Sequence, residues 1–296
     1  MVKGSLKNKV LFITGASRGI GFEIALRAAR DGAKIAIVAK TTTAHPTLPG
    51  TIYTAAKDIE EAGGEALPIA CDIRDEKQLE KAYEETVKRF GGIDIVVSNE
   101  LYDYLASAVY MGDTETTPVS RFDLMHQINV RGTWLVAKLA IKHLKKAENP
   151  HILIASPPIN LDKIGWNVAY TISKYGMSMI ALGLSQELEK YNIAVNSIWP
   201  VAPIETAALK ITDPSKKRRF TRTPEIMADA VHHILCQDSK TVTGNLYMDE
   251  AVLREAGQTE FEKYNYIKDV GIDQLSPSFF LTKEQIADVT NTRPKL

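Results

Sequence analysis

Tyr170 and Lys174 stand four residues apart in the run Ala169-Tyr170-Thr171-Ile172-Ser173-Lys174. On a helix, side chains at that spacing share a face. An isolated phenol, with a pKa of about 10, is a poor base at neutral pH. A neighbouring ammonium favours the phenolate and lowers that value. The pair can then exchange a proton with an alcohol or carbonyl oxygen. Such pairs are common on helix surfaces, so a second feature must give this one its meaning.

That feature is Thr14-Gly15-Ala16-Ser17-Arg18-Gly19-Ile20-Gly21, with the spacing G-x-x-x-G-x-G. Glycines let the backbone turn sharply and come close to a pyrophosphate. Free N–H groups and the dipole at a helix start attract the phosphate charge. The turn follows an apolar strand and opens a helix, which is the context a dinucleotide site needs. An acidic residue at the end of the next strand would accept hydrogen bonds from the ribose of NAD. Here that strand ends Val38-Ala39-Lys40-Thr41, without a carboxylate. Lys40 can pair with a 2′-phosphate, Thr41 or Thr42 can donate to it, and Arg18 can reach the same region. Two cations and no anion favour NADP(H) over NAD(H).

These groups need a scaffold, and the chain supplies one. Apolar, β-branched runs at 10–14, 35–39, 66–71, 93–97, 151–155, 193–198 and 245–248 read as strands. Helical patterns at 20–30, 53–62, 78–90, 121–144, 169–191 and 224–236 alternate with them. A Thr- and Pro-rich loop covers 41–49. Continuous apolar strands joined by helical crossovers form a parallel sheet. The expected fold is a doubly wound α/β domain of the Rossmann type over residues 5–250. A C-terminal extension, 251–296, carries Phe261, Tyr264, Tyr266, Phe279 and Phe280 and is expected to pack on that domain.

Composition narrows the choice of function. Of the 296 residues, 45% are apolar and 24% charged, enough for a large core. Lys plus Arg and Asp plus Glu both number 36, so broad electrostatic binding to nucleic acid or an anionic membrane is not expected. Cys71 and Cys236 lie in apolar stretches; they read as buried free thiols of a reducing compartment, and neither a disulfide framework nor a zinc or other metal site is expected. The N-terminus has no apolar signal region, and no run is long enough to span a membrane.

The glycine turn resembles that of the short-chain dehydrogenase/reductase family, and further matches follow in chain order. Asp72 resembles the family's adenine-contacting aspartate. Asn99 sits where the family has Asn-Asn-Ala-Gly, Asn129 in Asn129-Val130-Arg131-Gly132 resembles the catalytic asparagine, and Tyr170 with Lys174 resembles the Y-x-x-x-K pair. The resemblance covers residues 8–210. It implies that Lys174 binds the nicotinamide ribose and that Thr206 contacts the nicotinamide amide. The family's serine usually lies about 13 residues before the tyrosine; Pro157 occupies that place here, and Ser156 is the candidate one position earlier. The implied cofactor set is Gly15, Ser17, Arg18, Gly19, Ile20, Gly21, Lys40, Asp72, Asn99, Tyr170, Lys174 and Thr206. The implied catalytic set is Tyr170, Lys174, Ser156 and Asn129.

Three segments depart from the pattern. Asn99-Glu100-Leu101 replaces Asn-Ala-Gly, Pro200-Val201 replaces Pro-Gly, and Pro157-Pro158 stiffens the loop after Ser156. A narrower resemblance is to one branch of the family. It rests on Ala39-Lys40-Thr41, Gly50-Thr51-Ile52-Tyr53-Thr54-Ala55-Ala56, Ser156-Pro157-Pro158, Tyr175-Gly176-Met177-Ser178-Met179 and Phe279-Phe280-Leu281. Members of that branch look like peroxisomal or mitochondrial oxidoreductases of lipid-like substrates, often with a sterol-carrier domain that is not recognised in these 296 residues. The final Pro294-Lys295-Leu296 is similar to the Ser-Lys-Leu peroxisomal address.

The expectation is an NADP(H)-dependent enzyme interconverting a carbonyl and a secondary alcohol on an apolar small molecule, in the peroxisome or cytoplasm. Apolar faces on 121–144 and 169–191 imply a homodimer or homotetramer. Two rivals stay open: a non-redox isomerase or cyclase, and a cofactor-binding protein without catalysis. The substrate is expected to be set by 101–117, 157–167 and 202–222, where Tyr102, Tyr104, Tyr110 and Trp166 either suit an apolar or aromatic ligand or pack within the lid.

Overall fold

Alternate residues of the first strand point to opposite faces of a sheet. In β1 (Val10–Thr14) Leu11 and Ile13 enter one buried cluster, while Val10 and Phe12 enter another. A computed structural model describes residues 4–46, 48–99, 110, 112–165, 167–206, 209, 221–268, 278–282, 284, 285 and 287. After β1 come α1 (Gly19–Ala29), β2 (Lys34–Ala39), α2 (Ile52–Glu61), β3 (Glu65–Ala70), α3 (Glu76–Phe90) and β4 (Ile95–Ser98). The second half holds α4 (Val119–His126), a π-helical turn (Gln127–Gly132), α5 (Thr133–Leu144), β5 (His151–Ile154), α6 (Val168–Leu188) and β6 (Ala194–Trp199). It closes with α7 (Glu225–Leu235), β7 (Leu246–Met248) and α8 (Asp249–Glu255).

The seven strands pair in the order β3-β2-β1-β4-β5-β6-β7, every pair parallel. The winding reverses between β1 and β4, and such a reversal opens a crevice at the strands' carboxyl ends. One face is covered by α1 and α7 through Ile24, Ala28, Met227 and Val231. The other is covered by α3, α5 and α6 through Leu79, Leu135, Val136 and Met177. Each fully buried Leu, Ile, Val or Phe contributes roughly 1.5–3 kcal/mol relative to exposure. The doubly wound α/β fold expected from the alternation is the fold found.

Four details differ from the expectations. The single helix at 121–144 is broken by the π turn, because Asn129 is drawn fully inside and bonded there. The helix α8, which the sequence pattern did not predict, starts on two buried carboxylates, Asp249 and Glu250. The edge strand β3 exposes Glu65 and Ala70 instead of burying both faces. Cys71 is buried but Cys236, just past the last turn of α7, is only half-buried; neither is in a disulfide among the described residues.

Candidate active site

The glycine turn lies at the reversal point, and each bond that holds it has a main-chain atom at one end or both. Gly15 N–H donates to the Val38 carbonyl at 2.9 Å, continuing the β1–β2 ladder. Thr14 Oγ1 donates to the Val97 carbonyl at 3.4 Å and accepts from Asn99 N–H at 3.1 Å. Asn99 Nδ2 donates to the Gly15 carbonyl at 3.5 Å. Gly15 and Gly19 have φ of +64° and +61°, a region other residues rarely adopt. A Cβ on Gly21 would stand 2.6 Å from the Gly15 oxygen and 2.7 Å from Asn99 Nδ2, so this close packing requires glycine.

The loop before α2 docks on the same turn. Arg18 Nη2 donates to the Gly50 carbonyl at 2.8 Å, and a Cβ on Gly50 would meet the Ser17 oxygen at 2.7 Å. Thr51 and Thr54 form a capping box that starts α2 there. Ser17 and Ile20 are buried. Ile20 shares a narrow cleft with Trp199, Pro203, Ile204 and Phe279. The Thr206 methyl would lie 3.5 Å from a Cβ on Gly19, which places Thr206 over the turn. Among the described residues no side chain caps α1, and its first turn carries no acidic group. A cradle that a Cβ would fill, at an uncapped helix start without negative charge, fits a pyrophosphate.

At the carboxyl ends of β2 and β3, Lys40 Nζ lies 3.8 Å from Asp72 Oδ2. Arg74 grips Asp72 through Nε at 3.0 and 3.1 Å and through Nη2 at 2.5 Å. Partial burial pushes the Asp72 carboxyl up, but the Arg74 hydrogen bonds and the Lys40 charge outweigh it and hold the pKa below the ordinary value. Arg74 was not singled out from the sequence; its place two residues after Asp72 was the available signal. The result is two cations around one carboxylate at the carboxyl ends of β2 and β3.

The other end is built from side chains. Asn167, with φ of +46°, caps α6, and its Oδ1 accepts from Tyr170 N–H at 3.4 Å. Tyr170 is 1% and Lys174 0% exposed, so both face inward as the four-residue spacing requires. Lys174 Nζ lies 5.9 Å from the Tyr170 ring centre, 6.0 Å from that of Trp199 and 3.5 Å from Met177 Sδ. Ser156, two residues past β5, is fully buried, and its Oγ has no hydrogen-bond partner among the described residues. Asn129 Nδ2 donates to Ser173 Oγ at 3.0 Å, and Ser173 Oγ donates to the Tyr170 carbonyl at 2.7 Å. The π turn is thereby tied to the turn of α6 that carries the phenol.

Two of the departures now have a physical place. Ser178 Oγ donates to the Pro157 carbonyl at 2.6 Å, pinning the double-proline loop to α6. The N–H of Val201 donates to Asp249 Oδ1 at 2.9 Å, and its carbonyl accepts from Ser278 N–H at 2.9 Å. Glu100, Leu101, Tyr102, Tyr104, Trp166 and the terminal Pro294-Lys295-Leu296 lie outside the described residues. Tyr110 is described, and its carbonyl accepts from Asn167 Nδ2 at 3.1 Å. Asn167 falls in the substrate segment 157–167 without a role of its own there, and Ser173 and Phe280, which contact this region, are not marked by the sequence. A side-chain amide before a helix was a readable cap signal, whereas nothing local marks Ser173 or Phe280. No helix among the described residues is long and apolar enough to cross a membrane.

Comparison with known proteins identifies relatives of this chain. A family model described as short chain dehydrogenase matches residues 9–216. The chain is 51% identical over 280 residues to hydroxysteroid dehydrogenase-like protein 2 of Xenopus tropicalis, covering 94% of this chain and 64% of that protein's length. It therefore spans just under two thirds of that relative. A short chain dehydrogenase structure from Mycobacterium thermoresistibile is 45% identical with a TM-score of 0.86, covering 94% of this chain and 96% of the other. A Mycobacterium paratuberculosis short chain dehydrogenase bound to NAD is 25% identical with a TM-score of 0.68, covering 85% of this chain and 100% of the other. The chain belongs to the short chain dehydrogenase family of oxidoreductases.

Proposed function

From that membership, we propose that the protein is an NADP(H)-dependent oxidoreductase that interconverts a carbonyl and a secondary alcohol on a lipid-like or other apolar small molecule. The observation that carries this reading is the burial of Tyr170 and Lys174 together on the inward face of α6. The catalytic unit is 5–250, with 251–296 as an extension. Tyr170 holds or releases the proton at the substrate oxygen. Lys174 brings a buried positive charge, which favours the phenolate, and binds the ribose. Ser156 Oγ orients the substrate oxygen, and Asn129 supports a proton relay through water. The nicotinamide, when bound, supplies or accepts the hydride.

Gly15, Ser17, Arg18, Gly19, Ile20 and Gly21 surround the pyrophosphate, Asp72 and Asn99 hold the adenosine side, and Thr206 contacts the nicotinamide amide. Lys40 selects a 2′-phosphate. One solved relative is bound to NAD, so the phosphate preference rests on this chain's own cations. Arg74 supports it by offsetting the charge of Asp72. The lipid-like substrate is supported by the hydroxysteroid dehydrogenase-like name of the relatives. Subunits pair through α4, α5 and α6, where Trp134, Met179 and Ile172 are exposed. Residence in the peroxisome or the cytoplasm is part of this reading.

The test is turnover of a ketosteroid probe with NADPH and with NADH, in the native chain and in Lys40→Ala. Carbonyl reduction should match NADPH oxidation one for one. Lys40→Ala should lower the NADPH-over-NADH preference in kcat/KM about tenfold, the loss expected from one charge-assisted hydrogen bond. Probe consumed with NADPH unchanged supports an isomerase or cyclase instead. Tight NADPH binding with no turnover across ketone probes supports a non-catalytic role.

A further inference from the structure

The extension reaches the tyrosine. Phe280 is 1% exposed, and its ring centre lies 6.1 Å from that of Tyr170, 5.6 Å from Tyr175 and 5.3 Å from Trp199, edge-on to the last. Its segment is fastened at three points. Trp199 Nε1 donates to Ser278 Oγ at 2.6 Å, Ser278 N–H donates to the Val201 carbonyl at 2.9 Å, and Asn160 Nδ2 donates to the Phe280 carbonyl at 3.3 Å. Leu281 adds a small apolar cluster with Val201.

Each anchor belongs to an element that carries part of the site. Asn160 lies on the loop that begins at Ser156, and its carbonyl accepts from Tyr175 Oη at 2.6 Å. Tyr175 follows Lys174 on α6. Trp199 ends β6, and its ring faces the Lys174 ammonium. Phe280 is thus the one side chain among the described residues whose ring meets the proton-transfer tyrosine, the residue after its lysine and the end of the neighbouring strand together. Close-packed interiors transmit small displacements, so a gap here changes how the phenol stands.

We infer that Phe280 is a positioning residue for Tyr170, which makes the C-terminal extension part of the active site. The inference rests on the reading of Tyr170 as the proton-transfer group. Phe280→Ala should lower kcat for the ketosteroid probe about 10²-fold, the loss expected when a reacting group moves by about 1 Å. KM for NADPH should stay unchanged, and the pH profile of kcat should move. Phe280→Leu, which keeps most of the volume, should lower kcat about tenfold and move the profile the same way. Phe261→Leu is the control, because Phe261 is buried in the same extension but faces Arg222 and Arg254. It should lower Tm and leave the profile in place.

A second readout needs no substrate. Ultraviolet difference titration, each variant subtracted from its Tyr170→Phe counterpart, isolates the Tyr170 phenol, and its midpoint should shift in both Phe280 variants. A folded Phe280→Leu with native kcat, pH profile and phenol titration would overturn the inference and leave Phe280 as core packing. If the native chain never turns over the probe, the phenol titration still decides the positioning role, while the oxidoreductase reading fails separately.

Discussion

The glycine turn and the tyrosine site occupy the same crevice, yet they are held by different bonds. At the turn, main-chain atoms dominate: Gly15 to Val38, Asn99 to Thr14 and Gly15, Arg18 to Gly50. At the tyrosine every contact uses a side chain, some to main-chain carbonyls, others side chain to side chain or ring to ring, drawn from the π turn, the loop after β5, α6, β6 and the C-terminal segment. A site of main-chain atoms demands particular backbone angles and the absence of Cβ atoms. A site of packed side chains demands only complementary shape. The first is therefore rigid about its residues, and the second about its neighbours.

Three changes separate or merge the two ends. The largest is Tyr170→Phe, which should cut kcat by about 10²–10⁴-fold while NADPH affinity, read by fluorescence titration, holds. A parallel fall in affinity would mean that the ends act as one unit. Gly21→Ala should do the reverse. Its Cβ would press on the Gly15 carbonyl, at a cost on the order of 1–3 kcal/mol, read as weaker NADPH binding and a lower Tm with the phenol titration in place. The smallest effect on either end comes from His151, at the far end of β5.

Burial pushes the His151 pKa from 6.5 to about 4, and its Nε2 sits 3.1 Å from the Gln237 carbonyl. The folded value is depressed, so the stability it contributes is complete above the unfolded pKa and is lost as pH falls from 6.5 toward 4. The full shift corresponds to an upper bound on the order of 3 kcal/mol. Urea midpoints across that window should fall in the native chain and flatten in His151→Gln, which keeps an N–H donor. Both should bind NADPH alike at neutral pH.

The same contrast explains what could be read in advance. Val10–Thr14, Ile95–Ser98 and Ala194–Trp199 are apolar runs bounded by turns, so the strands and their parallel winding were legible. The glycine turn was legible because its spacing is its geometry. The π turn was not. Gln127–Gly132 continues the helical pattern on either side, and what breaks the register is a bond from Asn129 to Ser173, 44 positions along the chain. Arg74 hid among ordinary surface charges until Asp72 turned out to be its partner. Phe280 sits in a plainly apolar run, Phe279-Phe280-Leu281, but nothing in that run says which buried ring it will meet.

The fastening of Asn160 to Phe280 has a consequence in time. The two residues are 120 positions apart, so at ordinary rates of synthesis the later one leaves the ribosome roughly ten seconds after the earlier. Strands as far as β6 can assemble in that interval with the wall beside Tyr170 still missing. A nascent chain, or one trimmed by a protease before Ser278, would then carry a complete glycine turn beside an unfinished packing around Tyr170.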